Sequence, residues 1–118
     1  RLADFAKRFH QSGMRHRDFY FAHIFLGTEG ELYLIDLQRV FMPKFLSERF
    51  RVKDIAQLHY SAPGDVISCS DRIRFLKHYL GRDKLTSADR RFIGRVKSKA
   101  WRMAGHDIKH GRAVPFAK

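Results

Sequence analysis

The 118-residue chain has one cysteine, Cys69. No intramolecular disulfide can form, and a zinc site built on several cysteines is excluded. A lone thiol fits a reducing compartment. Long apolar runs are missing too: none approaches the roughly 18 residues of a membrane span, and no signal-peptide pattern is present. Internal repeats and low-complexity tracts are absent. Acids are scarce, with 12 Asp and Glu against 24 Lys and Arg, a net charge of +12. Such a balance favours anionic partners (nucleic acid, acidic lipid or phosphorylated substrate) without choosing among them. The excess is uneven. Residues 82–118 hold 11 Lys and Arg against 3 Asp, and residues 1–81 hold 13 against 9 acids. Hydrophobic residues make up 44% of the chain, enough for a core, which excludes a disordered polymer.

Leu2, Phe5, Ala6 and Phe9 recur at helical spacing and predict a first helix that stops near Gly13. Arg1 opens the chain already inside this pattern, as expected of a fragment of a longer protein. The short apolar runs "AHIFL" and "ELYLID", joined by Gly27-Thr28-Glu29-Gly30, predict a β-hairpin. Residues 38–50 read as irregular, with Pro43 as a breaker. Val52, Ile55, Ala56 and His59 give a second helical stripe ending before Pro63-Gly64. Ser70 and Asp71 offer a third helix start. Ile73, Leu76, Tyr79 and Leu80 are its apolar stripe and Gly81 its stop. Thr86-Ser87-Ala88-Asp89 resembles a capping box. It predicts a long helix with Phe92, Val96, Ala100 and Met103 inward, ending at Gly105.

The hairpin gives two acids a common address. Asp18 lies a few residues before the first strand and Asp36 at the end of the second, so both carboxylates are expected at the open end. One could orient and deprotonate a hydroxyl while the other holds Mg²⁺ against nucleotide phosphates. Phosphoryl transfer asks mainly for such positioning and charge neutralisation. The protein-kinase catalytic loop reads His-Arg-Asp, four residues, then Asn, followed by a hairpin and a metal-binding Asp. His16-Arg17-Asp18 fits the start, His23 takes the Asn position, and Asp36 takes the metal-binding position.

"HRDFYFAHIFL", "LYLIDLQRV", "VKDIAQLHYSA" and "SCSDRIRFLKHYLG" together make residues 1 to about 81 resemble the lipopolysaccharide kinase (Kdo/WaaP) family. These are bacterial sugar kinases of protein-kinase-like fold, and the likeness is closest to their heptose-kinase branch. One departure is Gln38, where the branch has His. The resemblance implies a mainly α chain with a small β-hairpin: the C-terminal lobe of a protein-kinase-like (α+β) fold over residues 1–118. Residues 82–118 are then a basic helix and tail. It implies Asp18 as catalytic base with Arg17 beside it. Asp36 becomes the metal ligand, with His23 at the second metal or phosphate position. His16 and Asp54 support the loop. The implied cofactors are ATP and Mg²⁺. The implied acceptor is a lipopolysaccharide inner-core sugar at the cytoplasmic face of the inner membrane. No Gly-rich phosphate loop and no strand lysine paired with a helix glutamate is found, so an N-terminal lobe is expected elsewhere in the same protein. The fragment alone is expected to be inactive.

Plainer readings stand beside these. Asp18 and Asp36 could be an exposed loop acid and a turn residue. His23 could be a core histidine, and Asp54 a charge favourable near a helix N-terminus. Phe19, Tyr20 and Phe21 read as packing. Arg91, Arg95, Lys99 and Arg102 share one helix face, which is either solvated or a surface for an anionic membrane or substrate. Two rival functions remain: another kinase-fold enzyme acting on a small molecule or protein, and a basic nucleic-acid-binding module. The second leaves the His16–Asp18 and Asp36 arrangement unexplained, so no nucleic-acid partner is expected.

Overall fold

In α1 (Leu2–Gln11), Ala3, Ala6 and His10 are buried at spacings of three and four, the repeat that puts residues on one helical face. The computed structural model describes residues 1–117. After α1 come two three-residue strands, β1 (Ile24–Leu26) and β2 (Leu32–Leu34), then α2 (Ser47–Ser61), α3 (Cys69–Leu80) and α4 (Ser87–Lys109). Short 3-10 turns precede β1, follow β2 and lie near the C-terminus. The molecule is mainly helical with one small antiparallel sheet, as the sequence predicts.

The central element is α2. Residues 54–58 are all buried, so this helix has no single wet face over that stretch. It packs along α4, while α1 packs on α3. Phe19, Val52, Ile55, Ala56, Leu58, Leu76, Tyr79, Phe92, Ile93 and Val96 fill the space between. Burial of each large apolar side chain contributes about 1.5–3 kcal/mol before chain entropy is set against it.

Local signals fix most helix ends. Both α3 and α4 begin with reciprocal capping boxes, Ser68 with Asp71 and Thr86 with Asp89, each satisfying two end groups of the backbone. The α3 box lies two residues before the expected start. Gly81 ends α3 with φ +69, a left-handed turn that favours glycine.

Other ends depart from the sequence reading. α2 begins at Ser47, within the stretch read as irregular, after Leu46 has turned the chain at φ +59. Gly105 does not stop α4, which runs on to Lys109. A glycine there costs about 1 kcal/mol relative to alanine. The following turn is held from outside, because Asp107 accepts from the Tyr60 hydroxyl at 2.5 Å and from Arg112 Nε at 2.9 Å. The strands are shorter than expected, since Ala22 and His23 belong to a 3-10 turn. Ile73, assigned to the apolar stripe of α3, is exposed. Among the described residues, no helix is long and apolar enough to cross a membrane.

Candidate active site

The pairing register opposes Ile24 to Leu34, Phe25 to Tyr33 and Leu26 to Leu32. Ile35 N donates to His23 O at 2.9 Å, carrying the pairing one step towards the open end. Asp36 then leaves the strand in a left-handed conformation, φ 60 and ψ 61. The segments beyond are tied together as well: Arg15 and Phe41 exchange backbone hydrogen bonds of 2.8 and 3.0 Å. Hence the loop before β1 and the loop after β2 are fixed side by side.

One imidazole spans them. His23 Nδ1 donates to the Asp18 carbonyl oxygen at 2.7 Å, which leaves Nε2, 3.4 Å from Asp36 Oδ2, with its lone pair available. The Asp18 carboxylate pairs with Arg39, Nη1 to Oδ1 at 2.9 Å. Both acids are partly exposed and lie at the hairpin's open end, joined through His23.

Beneath them is a buried polar floor. Asp54, with no exposed surface, accepts from His16 N at 2.8 Å and Arg17 N at 2.9 Å. It also accepts from His10 Nε2 at 2.8 Å. Burial holds the His10 imidazole below its ordinary pKa, outweighing the pull of Asp54, so this contact is a neutral donor on a carboxylate and not an ion pair. The other His10 nitrogen accepts from the Tyr79 hydroxyl at 2.5 Å, and that hydroxyl accepts from Arg51 Nε at 3.0 Å. Burial pushes Tyr79 up to about 12, which keeps it a donor.

Gln57 completes the loop's support. It accepts from Phe19 N at 2.8 Å and donates to Arg17 O at 2.9 Å. His16, fully buried, has its Nε2 3.0 Å from the Ile35 oxygen and its Nδ1 3.2 Å from Asp18 N. Both contacts are satisfied when the proton is on Nε2. The price is local strain at Arg17, whose φ is +75, a conformation that costs a side-chain-bearing residue about 1–3 kcal/mol. Its guanidinium lies over the Phe41 ring, 4.9 Å from the centroid.

The fold therefore brings His16, Arg17, Asp18, His23, Asp36 and Asp54 together. Arg91, Arg95 and Arg102 are exposed on α4, whereas Lys99 is half-buried and does not share their full exposure. Of the three aromatics read as packing, Phe19 is buried and Phe21 is exposed. Sequence reasoning missed Arg39, Gln57, His10, Tyr79 and Arg51. A signal existed for Gln57 alone: it lies three residues after Asp54, polar on a face otherwise apolar.

The sequence model of the lipopolysaccharide kinase (Kdo/WaaP) family matches residues 1–79. The chain belongs to this family. The match contains all six clustered residues and stops before α4. Among curated relatives, the lipopolysaccharide core heptose(I) kinase WaaP of Escherichia coli strain K12 is 31% identical over 120 residues, 94% of this chain. The protein of the same description from Pseudomonas aeruginosa is 35% identical over 80 residues, 62% of this chain. The chain spans only 45% and 30% of those two relatives. No solved structure matches it.

Among the described residues, no group of three or more His, Cys, Asp or Glu converges on one point. Asp36 and His23 are a two-residue donor set. Of the two, the Asp36 carboxylate is the kind of oxygen ligand a Mg²⁺ ion takes alongside phosphates and water, whereas the imidazole nitrogen of His23 is a poor ligand for that hard cation and better suited to donate to a phosphate oxygen when protonated.

Proposed function

We propose that the chain forms the C-terminal lobe of an ATP-dependent kinase that phosphorylates a sugar of the lipopolysaccharide inner core. One observation carries the proposal: two partly exposed carboxylates, Asp18 and Asp36, lie at one hairpin end, with His23 set between the Asp18 backbone carbonyl and the Asp36 carboxylate and the loop braced from below by Asp54. Family membership supports sugar phosphorylation, and the names of the relatives point to heptose as acceptor. In this reading Asp18 orients the acceptor hydroxyl and takes its proton. Asp36 holds Mg²⁺, with His23 Nε2 beside it to donate to a phosphate oxygen when protonated. When bound, the ion neutralises charge on the nucleotide phosphates. Arg39 fixes the Asp18 carboxylate, and Asp54 and Gln57 hold the loop backbone so that little reorganisation is needed at reaction.

A second lobe is part of the proposal. Phe25 and Tyr33 face each other across the hairpin and are both more than half exposed. Leu26, Leu37, Met42 and Phe45 are exposed as well. The same polypeptide's N-terminal lobe, closing over these side chains, would complete the nucleotide site. We place the enzyme at the cytoplasmic face of the inner membrane, attached peripherally through α4 to anionic lipid.

The test uses the complete gene product with ATP, Mg²⁺ and a core oligosaccharide acceptor. D18N keeps the shape and removes the base, and phosphorylation should fall by about 10²–10⁴. D36A should remove productive Mg²⁺ dependence. Near-normal transfer by both variants overturns the assignment. Transfer to an aminoglycoside or a protein in place of the oligosaccharide would move the enzyme to another substrate class.

A further inference from the structure

Arg39 reaches the proposed base from the side assigned to the metal. Asp36 immediately precedes the 3-10 turn Leu37–Arg39, and Arg39 is the last residue of that turn. Its Nη1 donates to Asp18 Oδ1 at 2.9 Å, across 21 positions of sequence. The turn therefore runs from the acid assigned to Mg²⁺ and phosphates to the acid assigned to the acceptor hydroxyl. The contact is wet: the Arg39 side chain is 46% exposed and that of Asp18 20%. An ion pair this exposed adds little to stability, unlike the buried bonds of Asp54 beneath it. Among the described residues, only one of the guanidinium N–H groups is engaged, so the others are open to the cleft.

Distance decides what those groups meet. Arg39 occupies Asp18 Oδ1, which leaves Oδ2 to take the proton. A base takes a proton over about 2.6–3.2 Å, and a well-placed attacking oxygen stands about 3–3.5 Å from its target atom. The phosphorus is then no more than about 7 Å from the base, and its oxygens extend nearer. A planar guanidinium that already touches Asp18 and enters from the Asp36 side has N–H groups within reach of those oxygens.

We infer that Arg39 is a catalytic residue whose guanidinium contacts the transferring phosphoryl group in the transition state, besides holding Asp18. This rests on the phosphotransfer reading above. The hydroxyl oxygen bonds to the γ-phosphorus as the bond from phosphorus to the β–γ bridging oxygen breaks. ADP leaves with that electron pair, the hydroxyl proton passes to Asp18 Oδ2, and Arg39 keeps all its protons. Once protonated, Asp18 no longer attracts the guanidinium as an anion. The phosphoryl oxygens, over which charge spreads in the transition state, then become its partner.

The experiment uses the complete gene product with ATP, Mg²⁺ and core oligosaccharide. R39A should lower kcat by about 10³ or more, the scale of an arginine acting on a transferring phosphoryl group, with KM for both substrates little changed. R39K should restore only part of the rate, because a point charge replaces a planar fork. The urea midpoint of R39A should match the wild type, as expected of an exposed pair. Calorimetry then separates contact from positioning, with Mg²⁺, ADP and fluoroaluminate as a mimic of the phosphoryl group in flight. R39A should bind ADP alone as the wild type does and ADP with fluoroaluminate about tenfold or more weakly, the scale of a lost charge-assisted hydrogen bond. D18N, which keeps Arg39, should stay close to the wild type. Equal fluoroaluminate affinity in wild type and R39A, or an equal loss in D18N and R39A, makes Arg39 a positioning residue only and overturns the inference. So does near-normal kcat in R39A while D18N is impaired. Near-normal transfer by D18N and D36A would instead overturn the phosphotransfer assignment itself.

Discussion

The floor under Asp18 and the outer face of α4 are both rich in charged and polar groups, yet they are built in opposite ways. Under Asp18, the polar atoms of His10, His16, Asp54, Gln57 and Tyr79 are buried and paired with one another or with the loop backbone. On α4, Arg91, Arg95 and Arg102 stand in solvent with no carboxylate partner among the described residues. Two of the three acids nearby are already used: Asp89 caps α4 and meets Arg82, and Asp107 holds Tyr60 and Arg112. A buried network fixes atoms to a fraction of an ångström because an unmade bond there is costly. An exposed row of cations fixes nothing but sets a potential. Net charge draws attention to α4, whereas the proposed chemistry lies at two partly exposed carboxylates held above a buried polar network.

The sharpest way to break this contrast is Asp54→Asn. The amide nitrogen cannot accept, so at least one of His16 N, Arg17 N or His10 Nε2 loses its partner in a buried site. We expect a loss of about 3 kcal/mol or more, on the scale of one or two unsatisfied buried groups, measured by urea denaturation. A near-neutral result would reduce the floor to the status of a surface. Next is Arg91, Arg95 and Arg102 replaced together by Glu. Stability should change by no more than about 0.5 kcal/mol per site, as is usual at the surface. Co-sedimentation with vesicles containing anionic lipid at low salt should weaken by about 1 kcal/mol per charge removed. Equal binding to neutral and anionic vesicles would leave α4 a solvated face. The smallest effect sharpens the comparison. Gly94 and Gly105 sit exposed inside α4 with nothing within 4 Å of an added Cβ. Each Gly→Ala change should stabilise by about 0.5–1 kcal/mol, read as a rise in Tm, with no change in transfer rate.

The features visible in the sequence are local. The Thr86–Asp89 box needs only four residues, the hairpin needs two apolar runs and a glycine-bounded turn, and the common address of Asp18 and Asp36 follows from hairpin topology. The hidden ones depend on distance along the chain. Nothing in the spacing of α1 says that His10 will meet Asp54 and Tyr79, because no periodicity links helices. α4 outruns Gly105 because Tyr60, on another helix, holds Asp107. Lys99 follows Arg95 by four residues, yet it is half-buried where Arg95 is exposed, against the shared outer face that spacing alone suggests. Arg39 was overlooked because its partner lies on the far side of the hairpin.

Asp54 also has a consequence for how the molecule assembles. Its hydrogen bonds join residues 37, 38 and 44 positions apart, and the His10–Tyr79 link closes a span of 69. Each closure costs entropy before it yields any bond. The His16–Asp18 loop has short-range contacts at Asp18, to His16 Nδ1 and His23 Nδ1, but the backbone around its strained Arg17 is held by Asp54 and Gln57 of α2. It is therefore a late product of folding: helices can flicker into existence early, but the loop acquires its shape only when α1, α2 and α3 have met. In kinetic terms, changes in this loop should leave the folding rate nearly untouched and appear in the unfolding rate.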